Sequence, residues 1–323
     1  MDKIKIVEIN SEIGAGTRGA SMGIDALKIA SINQKSSFFT LFPKVEVKTE
    51  NEVLFQENHF PHAKFIDAIY RTDVRVSKAI AQTLSQGFFP LVLAGDHSTA
   101  AGTLAGIKLH YPNKRLGVIW IDAHADLHTP YTTPSGNIHG MPLAIALHLD
   151  NRENQINTID PQTSEYWKRI KEVGSSGSKI KAQDLVYIGV RDVEAQEQAL
   201  IDQFGIKNFT VAELRKLGVE KVVQQSLDRL SGCDYIYVSF DVDSIDGQIL
   251  SGTGTPVEDG LYPDEAKELN YLFIQEEKIC AWEMVEINPT LDKYNNTAEI
   301  AFQILESSGR ALHESRNPQS LKV

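Results

Sequence analysis

Short runs of β-branched, aromatic and aliphatic residues recur along the chain, separated by longer stretches in which apolar positions return every three or four residues. The short runs predict strands at KIKIVEI (3–9), FFPLVLAG (88–95), LGVIWID (116–122), DLVYIGV (184–190), IKNFT (206–210), YIYVSFDVD (235–243) and CAWEMVEI (280–287), with a further one at SSFFTLF (36–42). The longer stretches predict helices over 62–85, 98–111, 194–204, 211–230, 263–276 and 296–313. Several strands are apolar on both faces, as a sheet covered by helices on each side requires. The alternation therefore predicts an α/β protein built on a parallel sheet. The polar segment 149–183 is expected to be a surface excursion with some helix at SEYWKRIKEV, and no stretch is long and loose enough to be a linker. Residues 1–323 are read as a single domain.

Composition narrows the partners more than the fold. With 323 residues, 42% of them hydrophobic, the chain can bury a large core. A net charge of -11 argues against nucleic acid or an anionic membrane as partner, since both reward an excess of Lys and Arg. It favours a cationic small molecule instead. Cys233 and Cys280 are too few for a disulfide framework or a thiolate metal site. The start MDKIKIVEIN alternates like a strand and carries no apolar signal region, and no run approaches the roughly 18 apolar residues of a membrane span. A cytoplasmic protein is expected.

GAGTRG (14–19) matches the dinucleotide pattern G-x-G-x-x-G after a strand. The acidic residue that should follow about 20 positions later to bind a ribose is missing from QKSSFFTLF. The better reading is a flexible glycine loop leading into the helix ASMGIDALKIA.

The chemistry lies elsewhere. Four segments place carboxylates and histidines at the C-terminal ends of predicted strands: Asp96 and His97 in AGDHS, Asp122, His124 and Asp126 in DAHAD, Asp241 and Asp243 in SFDVDSID, and Glu286 in MVEINP. Parallel α/β sheets bind their ligands outside those ends. Alternate residues of DAHAD share one face of an extended chain, where unpaired burial would cost several kcal/mol apiece. Taken alone, Asp96 or Ser98 reads as a helix cap and FDVD as an acidic strand end. Together, His97, Asp122, His124, Asp126, Asp241 and Asp243 supply four negative charges and two imidazoles, a set that two divalent cations balance. Oxygen-rich ligands without thiolate suit Mn²⁺ best, with Co²⁺, Ni²⁺, Fe²⁺ or Zn²⁺ as alternatives.

GDHS, DAHADLHTPYTTPSGNIHG, SFDVDSID, GTGTP and VEINP, in this order and spacing over about positions 90 to 290, resemble the arginase (ureohydrolase) family. The resemblance implies a three-layer α/β/α fold with a roughly eight-stranded sheet and a binuclear manganese site that hydrolyses a guanidino or amidino group through a metal-bridging hydroxide. It implies one manganese on His97, Asp122, Asp126 and Asp241, and the other on Asp122, His124, Asp241 and Asp243. It further implies Glu286 as the guanidinium partner, Asp126 and His139 as proton donors to the leaving amine, and Thr255 as a residue lining the site. Ser135 and Asn137 in SGN match residues that grip an α-carboxylate, which favours L-arginine as substrate and ornithine and urea as products. His128 stands where arginases usually have Asn, and Glu194 where they usually have an Asp facing the α-amino group; Asp192 is retained. The alternatives are another ureohydrolase (formimidoylglutamase, agmatinase or guanidinobutyrase), a nucleotide-binding protein using GAGTRG, or a metal-binding scaffold without turnover. A homo-oligomer, trimer or hexamer, is implied too, although Asp264 replaces a basic residue that helps the trimer in animal arginases.

Overall fold

The computed structural model describes residues 3–316. In chain order its strands are β1 (Lys3–Ile9), β2 (Lys44–Glu46), β3 (Phe88–Ala94), β4 (Leu116–Ile121), β5 (Leu185–Ile188), β6 (Lys207–Phe209), β7 (Tyr235–Asp241) and β8 (Ile279–Val285). They form one eight-stranded sheet in the order β2-β1-β3-β8-β7-β4-β5-β6, with every pairing parallel. The main helices are α1 (Gly23–Asn33), α2 (Phe38–Leu41), α3 (Ile66–Ser85), α4 (Ala100–His110), α5 (Pro142–Leu147), α6 (Pro161–Lys171), α7 (Ala195–Phe204), α8 (Val211–Leu217), α9 (Val219–Arg229), α10 (Pro263–Ile274) and α11 (Asn296–Arg316).

Alternation along the strands sends side chains into two cores. Leu91 and Leu93 join Ile119, Ile121 and Phe240 on the face covered by α1, α8, α9, α10 and α11. Val92 and Ala94 join Val118, Trp120, Tyr187 and Tyr237 on the face covered by α3, α4 and α7. This is the expected three-layer arrangement. Helices α3 and α4 lie close because Gly102 and Gly106 face Val76 and Ile80; a Cβ at either glycine would sit within 2.8 Å of those side chains.

Three expectations change. SSFFTLF is not a strand: Phe38–Leu41 is helical and the edge strand follows at Lys44–Glu46, because Phe38 turns into the core against Phe302. The helix over 211–230 is two helices, broken where Gly218 takes a φ of +85°. The segment 149–183 is more than a surface excursion. Its helix α6 buries Trp167 and Ile170 in a third cluster with Phe60, Ile66 and Ile69.

Candidate metal centre

Each chemically active segment begins where a central strand ends. Past β3, Asp96 caps a short 3-10 turn by accepting from Ser98 N, which places His97 over the sheet edge. Past β7, Asp241 accepts from Asp243 N at 2.8 Å, turning both carboxylates to one side. Past β4, Asp122 accepts from His124 N at 2.6 Å, and Asp126 takes a φ of +51°. Glu286, after β8, has a φ of +67°. Left-handed backbone at two non-glycine carboxylates is costly, and such conformations gather at functional sites. Because β3, β8, β7 and β4 are neighbours in the sheet, these ends meet.

His97 Nδ1 stands 3.1 Å from Asp122 Oδ2, 3.3 Å from Asp126 Oδ2 and 3.1 Å from Asp241 Oδ2. His124 Nδ1 stands 3.0 Å from Asp243 Oδ2 and 3.5 Å from Asp122 Oδ1. His97 Nδ1 and Asp122 Oδ2, both buried, have no partner of hydrogen-bond geometry. These atoms converge on common points rather than bonding one another, which is the arrangement that a cation completes. Three three-residue groups among the described residues fit an ion; two of them lie at these strand ends, His97–Asp122–Asp126 and Asp122–His124–Asp243, with Asp122 in both, and the third is His128–Glu194–Glu197. Burial first, and neighbouring carboxylates second, push Asp126 and Asp241 well above the usual carboxylate range. Only positive charge beside them keeps such acids ionised.

The ligands are held from behind. His97 Nε2 is 2.8 Å from Ser239 Oγ, and its ring stacks on Trp120 with centroids 4.1 Å apart. Thr255 Oγ1 donates to Asp243 Oδ2 at 3.1 Å. Arg191, which the motifs did not single out, donates to the carbonyls of Gly189, Asp243, Ser244, Val257 and Glu258, strapping three loops together.

One cavity of about 240 Å³ is lined both by His97, Asp122, His124, Asp126, Asp241 and Asp243 and by Ser135, Asn137, Asp192, Glu194 and Glu197. His128, His139 and Thr255 also line it. Glu286 does not. It stands behind, accepting from His97 N at 2.8 Å and lying 3.1 Å from His139 Nδ1, while its Oε2 is buried without a partner. Against the burial that would raise it, the His139 imidazole holds the Glu286 carboxyl below its ordinary range.

A profile of the arginase family matches residues 2–309. The chain belongs to the arginase family. It is 34% identical to the arginase of Brevibacillus brevis over 316 residues, covering 94% of this chain and 96% of that one. The solved arginase of Bacillus caldovelox superposes with a TM-score of 0.81 at 33% identity, covering 95% and 98% of the two chains. The Entamoeba histolytica arginase solved with L-ornithine gives a TM-score of 0.80 at 27% identity, covering 95% and 98%. Membership makes the chain an amidinohydrolase-type, metal-binding enzyme.

The loop GAGTRG packs against the turn that follows β3. Gly14 N donates to Asp96 Oδ2 and Gly19 N to Glu12, so these amides are taken by carboxylates and not presented to a phosphate. The loop is also fitted, since a Cβ on Gly14 would lie 2.5 Å from Asp96 Oδ1. His128 stays out of the two ion groups. Its Nε2 faces Glu194 at 3.0 Å and Glu197 at 3.4 Å. Burial opposes a charged His128, but the two glutamates more than offset it and raise its pKa. The hydrogen bond from His128 takes Glu194 down to about 2, while burial lifts Glu197 to about 7. Glu197, 2% exposed, was missed by motif reading. Its signal is the spacing Glu194-x-x-Glu197, the capping box that opens α7.

Proposed function

We propose that the chain hydrolyses the guanidinium group of L-arginine to L-ornithine and urea, using two Mn²⁺, and that residues 1–323 act as one catalytic domain. The observation that supports this reading most is that the two ion groups and the SGN segment share one small cavity with Glu194 and Glu197. Ser135 and Asn137 can donate to an α-carboxylate; Asp192, Glu194 and Glu197 can accept from an α-ammonium. Lys64 Nζ bonds Asn137 Oδ1 at 3.0 Å, which leaves the amide nitrogen for such a ligand.

His97, Asp122, Asp126 and Asp241 would hold one metal, and Asp122, His124, Asp241 and Asp243 the other. Two divalent cations held this way lower the pKa of water enough to furnish a nucleophile near neutral pH. Mn²⁺ suits two imidazoles among oxygen ligands. Glu286 is the guanidinium partner that the family resemblance implies: its unpartnered Oε2 lies behind the cavity wall, so the substrate reaches it only by displacing that wall, while Oε1 holds His97 N and His139 Nδ1. Thr255 keeps Asp243 in place. Asp126 and then His139, whose Nδ1 is anchored on Glu286, pass a proton to the leaving amine. The family resemblance implies a trimer or hexamer in the cytoplasm, which light scattering and fractionation would measure.

A second reading, another ureohydrolase, draws on one observation. His128 and Glu194 already bond each other where a zwitterionic tail would need both. Product release from L-arginine, agmatine, 4-guanidinobutyrate and formiminoglutamate after preincubation with Mn²⁺ separates the two. Urea from L-arginine alone supports the first; preference for another member overturns it.

A further inference from the structure

Among the residues that line the cavity, a third group repeats the pattern of the paired ion groups. His97 Nδ1 faces three carboxylate oxygens and His124 Nδ1 faces two. His128 Nε2 likewise faces two, Glu194 Oε2 at 3.0 Å and Glu197 Oε2 at 3.4 Å. The three ligand atoms lie within 4.8 Å of one another. One imidazole N–H can serve one acceptor, so His128 Nε2, bonded to Glu194 Oε2, leaves Glu197 Oε2 without a bond from the ring.

The group is also built as ligands are built, with each inner residue oriented from behind. Thr132 Oγ1 lies 3.3 Å from His128 Nδ1 and is itself fixed by Thr129 N at 3.0 Å. Leu127 N donates to Glu197 Oε1 at 2.9 Å and Glu194 N to its Oε2 at 3.3 Å, which fixes the carboxylate with Oε2 beside the histidine. His128 is 7% and Glu197 2% exposed, while the Glu194 side chain is half-exposed. All three line the cavity, so a fourth position opens into it.

We propose that His128, Glu194 and Glu197 form a third divalent-cation site, apart from the His97–His124 centre, that takes Zn²⁺. One imidazole, two carboxylates and an open fourth position make a zinc donor set, and a borderline cation prefers it to a site of oxygens alone. Zinc seated there holds the two glutamates that would otherwise accept a substrate ammonium. Cation and amino-acid substrate therefore exclude each other, and zinc competes with substrate. The competition rests on the L-arginine reading; the site does not.

The Mn²⁺-loaded protein is dialysed against graded free Zn²⁺ under constant excess Mn²⁺, and both metals are counted per chain by mass spectrometry. Two manganese retained and a third equivalent of zinc bound is the expected result. His128→Asn keeps its two manganese, which also reports its folding, and binds zinc at least tenfold more weakly; Glu194→Gln, altered at a half-exposed position, does the same. Zinc taken up only in exchange for manganese, or a third equivalent that both variants retain, overturns the site. In the kinetic arm the apparent KM for L-arginine doubles when free zinc equals its measured dissociation constant, at unchanged kcat. A fall in kcat at constant KM overturns the competition. Three metals without turnover of L-arginine would leave the site standing and sink the substrate reading, whereas urea release with two metals only would do the reverse.

Discussion

His97 is prepared for its ligand by neighbours that touch no substrate. The Ser239 hydroxyl at Nε2 and the Trp120 ring against its face leave Nδ1 aimed at Asp122, Asp126 and Asp241. Behind this pair, Tyr237 donates to the buried carboxylate of Glu283. Ser239→Ala should therefore weaken metal binding about 10–100-fold, the usual cost of losing an orienting partner, with the circular dichroism spectrum unchanged. Chelator competition would measure it. Asp122 belongs to both ion groups, so Asp122→Ala should lose metal and activity together; full turnover in that variant would sink the binuclear assignment. The ligands themselves were legible because DAHAD spaces acids and imidazole at strand period beyond an apolar run, which no packing demand explains. Ser239 was not, since a lone serine in YIYVSFD looks like any strand residue until its neighbour across the fold is known. Glu197 hid inside a helix-capping pattern, and Glu286 was recognised in sequence although its side chain stands behind the cavity wall.

At the scale of elements, the central strands were readable because burial on both faces makes them continuously apolar, and their short length and β-branched content, not a period, mark them as strands. SSFFTLF misled for the same reason: aromatic density signals burial without saying whether the backbone is helix or strand. Helices α8 and α9 merged in sequence because the intervening Gly218 carries no polar mark. The segment after α6 looked solvated, yet it delivers Lys179 into the interior at 2% exposure, where it donates to Lys171 O. Burial takes the Lys179 pKa down to about 8 from 10.5. Between those values the unfolded chain holds a proton that the folded chain releases, so stability rises with pH across that window. Lys179→Met should thus raise the melting temperature at pH 7 by a few degrees. Its advantage should fade as pH climbs from 8 toward 10.5, and a calorimetric pH series would show a gain that does not fade if the sign is wrong.

For the molecule as a whole, four carboxylates no more than 6% exposed are gathered at one edge of the sheet, so cations held there bind the folded chain and not the unfolded one. Removing them with a chelator should lower the melting temperature by about 5–10 °C, and Mn²⁺ should restore it. An unchanged melting curve would mean that the cluster carries no ion. The oligomer is less legible: Glu265 pairs with Arg215 of its own chain at 3.0 Å, beside the exposed Asp264, so this acid is already engaged within the chain. Strand β8 has a different consequence. It comes last in chain order yet lies between β3 and β7. A ribosome delivering the chain from its N-terminus completes β2-β1-β3 and β7-β4-β5-β6 before the strand that unites them has left the tunnel. His97 belongs to the first group, while Asp122 and Asp241 belong to the second. A chain that ends before β8 therefore lacks the strand that brings His97 beside Asp122 and Asp241.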